Sequence, residues 1–195
     1  MTTLYVLIPP SPLFAAHWSL YLPDLLPYDA ISRRYEEATS GRRIHVSGDR
    51  LNGFRLEIIR GYDLRKHRSV GTRRFAVARV AQEYLQPNND AREIPSRGVG
   101  KAKDDDEGGG YVDNEPIDAF ERVCVEVDAP GPSLKSATVG DSGARKKKLE
   151  VLDCQWWVRQ AIETLRARGV LEALPAKGDE IPVDPMDILR TLPVH

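Results

Sequence analysis

The chain is poor in cysteine: its 195 residues hold only Cys124 and Cys154. Two thiols do not make the disulfide framework of a small secreted domain, so both are expected to be reduced. An excess of charge of one sign is also missing, since 28 basic and 29 acidic residues leave a net charge of −1. Nothing global therefore draws the chain to nucleic acid or to a membrane surface. No apolar run approaches the roughly 20 residues of a membrane span. The opening run Leu4-Tyr5-Val6-Leu7-Ile8 is short, stops at Pro9-Pro10 and lacks a basic flank, so it does not read as a secretory signal. No internal repeat is present, and no Cys-x-x-Cys or His-x-x-x-His pair marks a metal site. These absences lead to the expectation of a cytoplasmic protein with no cofactor. What is present, 41 % apolar residues, suffices for one core, hence a single domain over 1–195.

The apolar pattern begins as strands. Residues 4 to 8 read as a buried strand ended by Pro9, Pro10 and Pro12. A second strand is expected over roughly 14 to 22, where His17, Ser19 and Tyr21 alternate with Trp18, Leu20 and Leu22. Arg42-Arg43-Ile44-His45-Val46 is another, with His45 facing away from Ile44 and Val46. Ser47-Gly48-Asp49 and Asn52-Gly53 supply turn chemistry before Phe54 to Ile58, and Phe75 to Val80 completes the set. The expected fold class is α+β, an antiparallel sheet of about five strands with a helix packed on one face. Residues 86 to 114, with Gly108-Gly109-Gly110, and residues 129 to 148, with Arg145-Lys146-Lys147-Lys148, read as flexible insertions. Between them Pro116, Ile117, Phe120, Cys124 and Val127 fit a helical period, although the β-branched run from Val123 to Val127 pulls toward strand. A short helix is expected near 185 to 191.

The clearest helix starts at Cys154. Trp157, Val158, Ala161, Ile162 and Leu165 form one apolar stripe, Asp153 is a good N-cap, and Gly169 follows Arg166 and Arg168 at the end. Cys154 then stands in the first turn, at the positive end of the helix, where a thiol tends toward thiolate. A nucleophile so placed needs a base. His67 lies in the basic turn Arg65-Lys66-His67-Arg68 and His195 is the last residue, so both read as solvent-exposed. His17 and His45 differ, because each falls within a run of alternating apolar residues and points to the face opposite Trp18, Leu20, Ile44 and Val46. A helix packed on that face brings the sulfur to His17, with His45 holding the imidazole in its tautomer. Cys124, inside an apolar run, reads as a small buried hydrophobe. Trp156 and Trp157 read first as packing, with Trp156 as a candidate substrate wall beside Tyr21.

The order Ala16-His17-Trp18-Ser19-Leu20-Tyr21-Leu22, then Ile44-His45-Val46, then Asp153-Cys154 opening a helix resembles the circularly permuted papain-like group. That group includes the NlpC-type peptidases and the lecithin:retinol acyltransferase-like thiol enzymes. The resemblance covers residues 13 to 60 and 150 to 168. It implies Cys154 as nucleophile, His17 as general base and His45 as orienter, in a cysteine-dependent acyl hydrolase or acyltransferase. Amide, ester and thioester substrates, borne on a peptide, a lipid or a small molecule, are all compatible with it. The sequence departs from the acyltransferase branch around the cysteine, where Asp153-Cys154-Gln155-Trp156 replaces an Asn-Cys-Glu-His type motif. The N–H of Cys154 is the expected oxyanion donor, with Gln155 or Tyr21 as a second. Two other classes fit the same residues: a zinc site of Cys154, His17 and His45, and a non-catalytic binding module on the same fold. The acyl donor, the acceptor and the oligomeric state are not legible.

Overall fold

The computed structural model describes residues 1–10, 16–25, 37–66, 71–86, 100–101, 110–133, 152–175 and 182–194. The long strands are β1 (Thr2–Ile8), β2 (Ser19–Leu25), β3 (Glu37–Asp49), β4 (Gly53–Asp63) and β5 (Arg73–Val80). Three two-residue strands follow: β6 (Gly100–Lys101), β7 (Tyr111–Val112) and β8 (Leu171–Glu172). Together they make one antiparallel sheet in the order β6-β7-β4-β3-β2-β1-β5-β8. The five expected strands are its middle, and the short ones extend both edges to eight. Two of these short strands lie within 86–114, so parts of the presumed insertion pair with the sheet. Their sequence gave no strand pattern because two residues bring backbone hydrogen bonds and no apolar alternation. The basic run 145–148 and the histidines at 67 and 195 fall outside the described residues.

Among the described residues there are three α-helices: α1 (Ala119–Val125), α2 (Cys154–Ala167) and α3 (Pro185–Thr191). None of them is long and apolar enough to cross a membrane. Around residue 120 the helical period prevails over the β-branched run, with Asp118 accepting from the N–H of Glu121 as N-cap. In α2 the stripe Trp157, Val158, Ala161, Ile162 and Leu165 is wholly buried, and Gly169 adopts the positive φ, 71°, that ends the helix. Truncating Ile162 to alanine should cost about 2–5 kcal/mol in denaturant unfolding, because the core around this fully buried side chain fills the cavity only in part.

All three helices share a core with Leu4, Val6, Trp18, Leu20, Leu22, Ile44, Val46 and Ile58, which is one face of the sheet. The other face carries a smaller cluster of Leu7, Tyr21, Ile59 and Tyr62. An ionic knot ties α1 to the sheet. Arg42 donates to Asp118 and, at 2.8 Å, to Glu121, while Arg60 donates to both oxygens of Glu121 at 2.7 and 2.9 Å. All four residues are buried, and Glu121 fully so.

Candidate functional site

Asp153 sets the start of α2. Its Oδ1 accepts from the N–H groups of Gln155 and Trp156, and its Oδ2 accepts from Arg50 at 2.9 Å. The cap leaves Cys154 as the first helical residue, 9 % exposed. The N–H of Trp18, with those of Gln155 and Cys154 itself, faces the sulfur. Cys154 thus lies against the residue that follows His17 in the chain. Burial nevertheless dominates and raises the thiol above its usual range. The Trp18 N–H opposes this, Asp153 adds to it, and the Gln155 and Cys154 N–H groups oppose it. The thiolate expected from the helix terminus alone is therefore not the resting form. The helix dipole is outweighed by desolvation and by the capping carboxylate.

His17 stands in the irregular segment just before β2, not within a strand. The second strand starts at Ser19; the expected start near 14 lies outside the described residues. His17 is half-buried, and its Nε2 lies 3.0 Å from Nδ1 of His45, with the rings edge to face. On the far side of His45, Nε2 is 3.4 Å from Oε2 of Glu57. Burial keeps His17 neutral well below the usual imidazole range, helped by His45 and Arg43 and opposed by Asp153 and Glu57. The hydrogen bond of His17 goes to His45 rather than to Cys154.

The expected placement of the helix is corrected by the fold. The α2 helix packs on the face of Trp18, Leu20, Ile44 and Val46, which offers its stripe the larger of the two apolar surfaces of the sheet. By strand alternation His45 points to the opposite face, with Arg43, whose guanidinium covers the Tyr62 ring and whose Nε donates to Ser19. His45 and Glu57 stand on that face, and His17, in the segment before β2, reaches His45 at 3.0 Å, while the backbone N–H of Trp18 in the same segment faces the Cys154 sulfur.

The remaining candidates are occupied otherwise. The Gln155 amide donates to Ala16 O at 2.8 Å and to Val194 O at 3.2 Å, so both of its N–H groups are spent. An oxyanion role for Gln155 is not compatible with those bonds, and the residue acts as a clamp on the segment before His17. Trp18 continues the clamp, its Nε1 donating to Pro193 O at 2.9 Å. Tyr21 is fully buried in the second cluster and donates to Thr39 O, so neither the site wall nor the second oxyanion donor is realised by it. Trp156 is half-buried and packs against the main core. Cys124 is fully buried, and burial followed by the charges of Glu121 and Asp118 pushes its thiol far up. Among the described residues no group of three His, Cys, Asp or Glu side chains is arranged to hold a metal ion, so Cys154, His17 and His45 do not converge as a zinc set.

The residue missed by sequence reasoning is Glu57, and a signal existed. Asp49 caps the β3–β4 turn through the N–H groups of Leu51 and Asn52, and it pairs with Gly53 at positive φ. Counting back four residues from each side of that turn sets His45 opposite Glu57.

A model of a family of unknown function, DUF6540, matches residues 4–172, a span that includes His17, His45, Glu57 and Cys154. The chain belongs to that family. No curated protein and no solved structure matches it. The matched span runs from β1 to β8, and membership in DUF6540 names no activity.

Proposed function

We propose that this DUF6540 chain is a cysteine-dependent acyl hydrolase or acyltransferase with a permuted papain-like arrangement. The observation that carries the reading is the 3.0 Å bond between His17 Nε2 and His45 Nδ1, made beside the segment whose N–H faces the Cys154 sulfur. With Nε2 engaged, Nδ1 is the nitrogen of His17 left to accept a proton. In the proposed reaction Nδ1 takes the thiol proton as sulfur attacks the acyl carbon. The bond from that carbon to the amide nitrogen, ester oxygen or thioester sulfur breaks, and His17 returns the proton to the leaving group. Water or an acceptor amine then attacks the acyl-thioester and frees the thiol. The N–H groups of Cys154 and Trp18 serve the oxyanion, each contributing about 3 kcal/mol. Neutral thiol and neutral imidazole are the starting pair, so the proton moves during attack and not before it.

The test is mass spectrometry of the intact chain after exposure to p-nitrophenyl acetate and a long-chain p-nitrophenyl ester. One acyl group on Cys154 is expected, lost in Cys154→Ala and in His17→Gln. Absence of that adduct at every chain length removes the reading. A binding module on the same fold is the second reading, favoured by the packing of α2 on the face that His45 does not share. It expects no adduct and a Cys154→Ala variant that keeps its partner.

A further inference from the structure

His17 just before β2, His45 on β3 and Glu57 on β4 form a line that the nucleophile and base alone do not require. We infer that Glu57 is a positioning residue, which through His45 fixes the tautomer of His17 so that its Nδ1 is bare. This rests on the acyl-transfer reading for its purpose, though not for its geometry. A carboxylate accepts hydrogen bonds and donates none, so when the 3.4 Å gap to Glu57 closes into a hydrogen bond it is N–H at Nε2 of His45 that donates. Its Nδ1 is then a lone pair, and that nitrogen accepts from Nε2–H of His17 across 3.0 Å. The second nitrogen of His17 is left without a proton. One anion thus sets the direction of two imidazoles in series. The 3.4 Å separation between Glu57 and His45 is long for a hydrogen bond, as unliganded catalytic contacts often are. Its register is firm, because His45 and Glu57 are direct partners in the β3–β4 ladder. The other charged groups that act on His17 are Arg43 and Asp153, and Arg55 lies 3.8 Å from the second Glu57 oxygen.

The experiment follows the ring nitrogen resonances of the histidines in the full chain, with Glu57→Gln and Glu57→Leu as variants. Glu57→Thr, a better strand former, stands in if the leucine variant does not fold. In the wild type, His17 and His45 should each show a protonated Nε2 and a bare Nδ1. Glu57→Gln keeps an acceptor oxygen and should keep this pattern, whereas Glu57→Leu should mix the tautomers of both rings. Acylation of Cys154 by p-nitrophenyl acetate should fall about tenfold in Glu57→Leu and stay near wild type in Glu57→Gln, the conservative rescue that a packing role would not give. Unchanged ring signals in Glu57→Leu, or in Glu57→Thr where that variant stands in for it, overturn the inference. A wild type that takes no acyl group, yet whose ring signals mix in Glu57→Leu, supports the relay and sinks the enzyme reading, so the two failures are told apart.

Discussion

The two cysteines stand on two helices of one core and live in opposite surroundings. Cys124 is inside α1, fully buried, with two carboxylates of the ionic knot raising its thiol after burial has done most of it. Cys154 opens α2 at 9 % exposure, and three N–H groups face its sulfur. Both thiols are raised; at Cys124 the charge of Arg42 opposes this, whereas at Cys154 three backbone N–H groups do. The difference teaches that a helix in this fold has one of two duties. The α1 helix closes the sheet through Glu121 and its two arginines, whereas α2 spends its stripe on packing and keeps its N-terminus near the surface.

The largest effect expected from that division is on chemistry. On the proposed acyl-transfer reading, Cys154→Ala should cut turnover by about a thousandfold or more, as loss of a covalent nucleophile does. It should change stability by only about 1 kcal/mol, since one sulfur at the edge of the core is removed. Cys124→Ala should leave turnover intact. In the native protein iodoacetamide should label Cys154 and spare Cys124 until unfolding, as read by peptide mass spectrometry. Equal labelling of both thiols breaks the contrast.

Next comes the α1 side. Glu121→Ala leaves Arg42 and Arg60 buried without their shared carboxylate, which should cost about 3–5 kcal/mol in denaturant unfolding. Glu121→Gln restores some acceptors and should cost less. A loss below about 1 kcal/mol in the alanine variant would mean that the knot is not what fastens the helix.

The α2 helix was readable in full, stripe and both caps, because long amphipathic periods and capping residues are local properties. The pairing of His17 with His45 was legible as residue chemistry, although His17 makes it from the segment before β2 and not from a strand. Which face the helix would take was not. Alternation says that His45 opposes Ile44 and Val46, but only packing decides that the stripe of α2 seeks those two rather than the histidine. The fate of Gln155 was hidden for a different reason: its acceptors, Ala16 O and Val194 O, come from chain segments near opposite ends. Glu57 was within reach of turn arithmetic, which needs the loop closed at Asp49 and Gly53 before it pairs anything.

A smaller effect separates His17 from an ordinary imidazole. Its folded affinity for a proton lies below the unfolded one. As pH falls through the usual imidazole range the unfolded chain takes up a proton that the folded chain does not, so stability is lost on acidification in that window. The slope is at most about 1.4 kcal/mol per pH unit for one such group. His17→Gln should flatten the dependence of Tm on pH between neutrality and the lower imidazole value, leaving stability above neutrality almost unchanged. A wild-type profile that is flat there places His17 in contact with water or a new anion instead.

The smallest effect tunes the thiol itself. Asp153 caps α2, yet its charge raises both the Cys154 thiol and the His17 imidazole. Asp153→Asn keeps a capping oxygen and removes the charge, so the helix should lose only a few tenths of a kcal/mol. The thiol and the imidazole should then both fall in pKa. Alkylation of Cys154 by iodoacetamide near neutral pH should rise by a few fold, since more of the sulfur is thiolate. Asp153→Ala removes the charge too, but it frees the Gln155 and Trp156 N–H groups and should cost about 1 kcal/mol of stability. If Asp153→Asn slows alkylation instead, the salt bridge from Arg50 is holding the N-terminus of α2 in place, and charge at this position matters through geometry rather than through the field on the sulfur.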